Sequence, residues 1–238
     1  MHVHLYADNR QMIDAVRCLV AGGITWRAMP TDFPAWDRVY AFWRRWRDNG
    51  LIGELHDRLR DRLRTAERRD PEPTAGVIDA QSVKGAASVP ADTQGFDAGK
   101  KINGRKRHIV VDTLGLLLAV TVTAASVTDR DAGHSLLTRL RERHWRVTQV
   151  WADGAYTGQL ADLAASVLRI ALTVVKRSDH ARGFTVLPKR WLVERTFAWL
   201  MRSRRLARDY ETRADSSEAM IYWSMSMVMS RRLARRRR

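Results

Sequence analysis

The chain is poor in cysteine, with one residue, Cys18, among 238. A single thiol excludes an internal disulfide framework and a zinc site built from cysteines. Cys18 falls on the apolar side of a predicted helix, which reads as a small core residue. Long apolar runs are also missing. No stretch reaches the roughly 18 residues of a membrane span, and the N-terminus carries no signal-peptide pattern. The expected compartment is therefore the cytoplasm, with no membrane partner. Acids are scarce relative to bases. Asp and Glu number 26 against 42 Lys and Arg, a formal charge of +16 at pH 7. Such an excess points to a polyanionic partner, most often nucleic acid, with an anionic membrane surface as the competing reading.

What is present divides the chain. Residues 9–21 place Met12, Ile13, Val16, Leu19 and Val20 on one helical face, ended by Gly22 and Gly23. A proline-containing loop follows. A second helix carries Val39, Trp43 and Trp46, and a third carries Leu51, Leu55, Leu59 and Leu63. These helices form a predicted N-terminal region over 1–69, DNA-binding in character. Residues 70–75 are charged and proline-containing and read as a linker. Beyond it the pattern turns to short β-rich segments. "GVIDAQSV", then "RHIVVDT" and "GLLLAVTVTA" around a turn at Asp112–Gly115, give three strands. A helix over 129–143, the strand "RVTQVWAD", a helix over 158–168 and the strand "RIALTVVK" come next. Helices over 189–206 and 214–232 close an α/β domain with a mixed sheet, spanning 76–230. The like-charged end, 231–238, reads as a disordered basic tail.

Three carboxylates stand out against this pattern. Asp79 lies in the middle of a strand, where Asp is depleted and where a buried carboxylate is costly unless paired or bound to metal. Asp153 ends a strand before Gly154, a place that also suits a turn or helix cap. Glu194 sits in an apolar and arginine-rich helix. Arg190, four residues earlier, offers it an ordinary surface salt bridge. Together, two strand acids and one helix acid suit hard divalent ions, and ligands in α/β sheets gather at strand ends. Three acids around two metals make a site for displacement at phosphorus.

The stretches "TWRAMPTDFPAWDRVYAFWRRWRDNGL", "IDAQSVKGA", "GKKINGRKRHIVVDTLGLLLAVTVTAASVTDRDAG", "VWADGAYTG" and "KRWLVERTFAWLMRSRRLARDYE" cover most of residues 24–213. In these the chain resembles bacterial insertion-sequence transposases with an Asp-Asp-Glu triad, of the insertion-sequence-five type. The resemblance implies a ribonuclease-H-like catalytic domain with Asp79, Asp153 and Glu194 as the catalytic and metal-binding triad. It implies two Mg2+ ions, with Mn2+ able to substitute, and cutting and strand transfer at the element's ends. Double-stranded DNA, both terminal inverted repeats and target, would be the partner, and a homo-oligomer would assemble on it. Related families space Tyr-x2-Arg-x3-Glu-x6-Lys around the Glu. Arg190 keeps the Arg place, while Leu187 stands for Tyr and Met201 for Lys, with Arg202 next along as a substitute cation. Relatives carry a longer helical region before "TWRAMP", which implies an N-terminally shortened chain. A shortened copy that binds DNA and regulates without chemistry is the alternative.

Other basic residues are candidates for phosphate contact. Lys100, Lys101, Arg105, Lys106 and Arg107 surround an expected turn at Asn103–Gly104. Lys84 follows Asp79. Arg190, Arg202 and Arg205 share the predicted polar side of the Glu194 helix. Asp97, Asp112, Asp129 and Asp131 read as turn or helix-start acids.

Overall fold

The computed structural model describes residues 2–175 and 189–236. Its elements run α1 (His2–Gly22), α2 (Trp36–Asp48), α3 (Leu51–Ala66), β1 (Ala75–Lys84), β2 (Gly95–Asp97), β3 (Ile102–Asp112) and β4 (Leu117–Ala124). They continue α4 (Asp129–Arg143), β5 (Gln149–Ala152), α5 (Gln159–Ser166), β6 (Ala171–Val174), α6 (Arg190–Met201) and α7 (Ala214–Arg235). The strands make one mixed sheet. β3 pairs antiparallel with β1 on one side and with β2 and β4 on the other, while β1, β5 and β6 run parallel.

Both faces of this sheet are covered, so its strands alternate between two cores. Val77, Ile109, Val111 and Val120 face a core shared with α1, α2, α6 and α7. Ile78, Val110, Leu118 and Val150 face a second core under α4 and α5. Asp79 has the parity of Val77, which turns it toward the face that α6 covers.

The β3–β4 hairpin fixes where α6 lies. Gly115 holds φ +76, a conformation that suits glycine. Its amide donates to Asp112 O at 2.9 Å, and Asp112 Oδ1 accepts from the amides of Leu114 and Leu116 at 2.8 Å each. The hairpin tip then receives α6. Thr196 Oγ1 donates to Gly115 O at 2.7 Å and Arg195 Nη2 to Leu114 O at 2.9 Å. Leu192, Val193, Thr196, Phe197 and Leu200 bury the expected apolar side of the helix.

Several expectations are corrected. The N-terminal helices do not enclose a core of their own. Val16, Leu19 and Trp43 share one core with Val77 of the sheet and Met220 of α7, because α7 lies between the N-terminal helices and β4. The four-residue leucine series of α3 is not its buried face. Four residues turn about 400°, so such a series drifts by about 40° per step. Ile52, His56 and Arg60 are buried instead, Leu63 is the one member of the series that is fully buried, and Leu51 is exposed. Asn103 and Gly104 lie inside β3, and the turn falls just before it, where Lys101 adopts φ 53. Residues 231–235 of the expected disordered tail continue α7. Cys18 is partly exposed and not fully in the core.

Candidate active site

Parallel pairing brings two of the three acids together. Val77 of β1 pairs with Trp151 of β5. Asp79 and Asp153 each lie two residues beyond that pair, so they emerge side by side. Asp79 Oδ1 accepts from the amide of Ala80 at 2.7 Å. Asp153 Oδ1 accepts from the amide of Ala155 at 2.9 Å and caps the short 3-10 turn Gly154–Tyr156. Capping, the bland role for Asp153, is therefore real, and it uses one oxygen only.

The second oxygens face a shared cation. Arg190 Nη2 stands 3.8 Å from Asp79 Oδ2 and 3.8 Å from Asp153 Oδ2. The two oxygens are thus no farther apart than twice that distance. Arg190 is not engaged with Glu194, and among the described residues Glu194 forms no ion pair. The long-range pair of aspartates wins because it offers the guanidinium two partly buried negative charges, against one exposed carboxylate on its own helix. Burial pushes the Asp79 carboxyl up to about 6; nearby Asp153 adds to this, while the Ala80 amide and Arg190 oppose it.

Glu194 lines a cleft of about 320 Å³ with Asp97, Asp129, Lys106, Lys100 and Gln81. Ala80, next to Asp79, lines the same cleft, which places Glu194 on the Asp79 side of the site. Among the described residues, no three His, Cys, Asp or Glu side chains are gathered closely enough to hold a metal ion as they stand. Leu187 lies outside the described residues.

The basic residues sort by burial. Lys84, Lys100, Lys101 and Arg202 are exposed, and Arg190 is half-buried. Arg105, Arg107 and Arg205 are buried and carry a different role from the one expected. Arg105 donates to Glu211 O at 2.8 Å, Thr212 O at 3.0 Å and Thr93 Oγ1 at 2.7 Å. Arg107 donates to Leu206 O at 2.8 Å and to Arg208 O at 3.3 Å. Arg205 lies past the end of α6, on the 3-10 turn Arg204–Leu206, and pairs with Glu211 at 2.8 Å. These guanidiniums brace the segment after α6 against the sheet through hydrogen bonds to protein oxygens, with the buried Arg107 Nε left unpartnered among the described residues. Lys106 is also buried, held by Asp129 at 3.1 Å, Asp97 at 3.7 Å and Val127 O at 2.9 Å.

Two residues were passed over. Asp129 opens α4, and Thr128 caps that helix by accepting from the amide of Asp131 at 3.2 Å. Its place at a helix start explained it well enough to hide that it also lines the Glu194 cleft. His108 is fully buried, 3.9 Å from Asp129, and its Nδ1 has no hydrogen-bond partner. Burial first, then Lys106, pushes its imidazole down to about 4. Tyr156 is packed completely inside, and burial raises its hydroxyl well above the ordinary value.

This arrangement meets a known pattern. A family profile described as Transposase DDE domain matches residues 70–229. The chain belongs to the DDE transposase family. The matched span contains Asp79, Asp153 and Glu194, and its mixed sheet with flanking helices is the ribonuclease-H-like fold of the DDE transposase domain. A second profile, described as transposase of the IS4/5 family, matches residues 4–56 of this DDE transposase chain. A protein of Burkholderia cepacia described as a transposase for insertion sequence element IS402 is 34% identical over 134 residues. That alignment covers 50% of this chain and 59% of the relative, so the chain spans about three-fifths of the relative's length.

Proposed function

We propose that this chain is the DNA transposase of an insertion sequence, cleaving DNA at the element's ends and transferring the strands to a target. The observation that carries the reading is that Asp79 and Asp153, each two residues past the Val77–Trp151 pair, lie close enough for Arg190 to stand 3.8 Å from both, with the Glu194 helix packed against β1. The DDE transposase domain is divalent-metal-dependent as a family. The residues present fit such an ion. They are hard oxygen donors, and Asp79 and Asp153 already attract a cationic group between them. Asp79 and Asp153 would hold the ion, Mg2+ in this reading and two in number, with Glu194 as the third carboxylate. When bound, the metal supplies charge stabilisation at the phosphorus undergoing substitution.

The chain's own residues position the strand. In each step an oxygen nucleophile, water for cleavage and a 3′-hydroxyl for transfer, attacks phosphorus and loses its proton. The bond from phosphorus to the departing 3′ oxygen breaks, and that oxygen takes up a proton. Arg190 lies beside the two aspartates, where its guanidinium can orient the scissile phosphate. Lys84, Lys100, Lys101 and Arg202 are exposed cations for the flanking backbone. Two ends held together call for more than one protomer on the DNA.

The test is a labelled duplex carrying a terminal repeat, incubated with Mg2+ or with EDTA, for the natural chain and for Glu194→Gln. Metal-dependent nicking at the repeat boundary, absent in the variant, is the expected result. Binding without nicking by the natural chain would overturn the enzymatic reading and leave a DNA-binding regulator.

A further inference from the structure

A second cleft, of about 600 Å³, shares no lining residue with the triad region. That volume lies in the range of sites for small ligands. Its wall is aromatic. Trp26 stands 5.0 Å from Tyr40 and 5.5 Å from Trp43, and Tyr40 and Trp43 are stacked at 6.1 Å with 21° between their planes. Packing explains part of this, since Trp43 is 1% exposed and belongs to the core.

Three features are not explained by packing. Trp36 lines the cleft and is 37% exposed, with the Arg27 guanidinium 5.3 Å from its ring centroid. Trp43 also lines the cleft, and its buried indole N–H has no acceptor among the described residues. Buried indole N–H groups ordinarily find one. Arg27 has no carboxylate within 4 Å among the described residues, whereas Arg205 and Arg213 in the same cleft are paired with Glu211 and Asp215. An exposed flat ring, an unmatched donor and an unneutralised cation together select a planar ligand that has hydrogen-bond acceptors and a negative charge.

We propose that this cleft takes up an unpaired nucleotide of a DNA strand, with its base against the Trp36 side of the aromatic wall and its phosphate on Arg27. Aromatic side chains bind bases without sequence preference, because every base presents a π-face. The inference takes from the proposed function only the identity of the polymer. It requires neither metal nor catalysis, so it can fail while the nicking assay succeeds, and the reverse.

The test uses the full chain in EDTA and the fluorescence anisotropy of a labelled oligothymidylate, beside a blunt duplex of equal length. Trp36→Ala and Arg27→Gln should each weaken single-strand binding about tenfold, in line with the loss of one stacked base or one phosphate contact. Duplex binding should stay within about twofold for both. Trp36→Phe, which keeps a ring, should recover most of the loss. Variants that bind the single strand like the natural chain, or that lose duplex and single-strand binding equally, would overturn the proposal. Both positions are exposed, and a thermal melt of each variant checks that the fold is kept.

Discussion

Arg190 holds the place between Asp79 and Asp153 toward which a divalent ion would be drawn, and removing its charge should therefore strengthen metal binding. Each contact is 3.8 Å long. At an effective dielectric of about 20 a unit pair at that separation interacts by roughly 4 kcal/mol. The Arg190 side chain is 25% exposed and the two carboxylates 16% and 27%, so solvent screening reduces each contact to about 1 kcal/mol. A divalent ion that enters this site must give up or oppose those contacts. Arg190→Gln, which keeps a polar side chain but not its charge, should gain about 1–2 kcal/mol of metal affinity, close to tenfold in the dissociation constant. Calorimetric titration with Mn2+ at pH 8 would read it, because Asp79 is ionised well above its value of about 6. The same variant should bind DNA less tightly, since it has lost a phosphate-orienting cation. Opposite signs for metal and DNA are the distinctive expectation. Metal affinity that falls or stays the same in Arg190→Gln would refute the reasoning, and Asp79→Asn, which should lose metal binding, provides the reference for a damaged site.

The remaining predictions separate bracing from binding. Arg107→Met should lower stability in urea by about 3 kcal/mol, because two backbone carbonyls lose a buried charged donor. Lys84→Ala should leave the melt unchanged and reduce the slope of log DNA affinity against log salt by about 1. Thr196→Val removes the bond from α6 to the hairpin tip and should cost about 1 kcal/mol in a denaturant titration, or nothing if the tip does not anchor the helix. His108 has a folded value of about 4, below its unfolded value near 6.5. The unfolded chain therefore takes up this proton first as the pH falls from 6.5 toward 4, and the stability held above 6.5 is lost across that window. His108→Gln should flatten the loss by up to about 2 kcal/mol between pH 7 and pH 4.5, measured by urea unfolding at both.

Local pattern determined the order and kind of the elements. The helix from Asp129 to Arg143, the hairpin about Gly115 and the strand that carries Asp79 follow from periodicity, caps and turn residues, all of which act over a few positions. Asp79 stood out too, because a carboxylate in a strand is an anomaly that local preference does not explain, whereas Asp153 and Glu194 each had an ordinary local role and joined it as candidates through the resemblance. The tertiary structure decided which charges do what. Arg107 and Lys84 look alike in a basic sequence, yet one is buried and spent on a carbonyl 99 residues away, while the other stays in solvent. Arg190 had a ready partner four residues on, and it turned instead to aspartates supplied by two strands. The buried face of α3 likewise followed from what lies against it, which spared Ile52 and His56 from solvent and left Leu51 exposed. Helix and strand preferences are short-range and additive, so they can be read along the chain. The fate of a charge depends on the competition among all oxygens and all water that the folded chain brings within a few ångströms of it, and folding alone settles that competition.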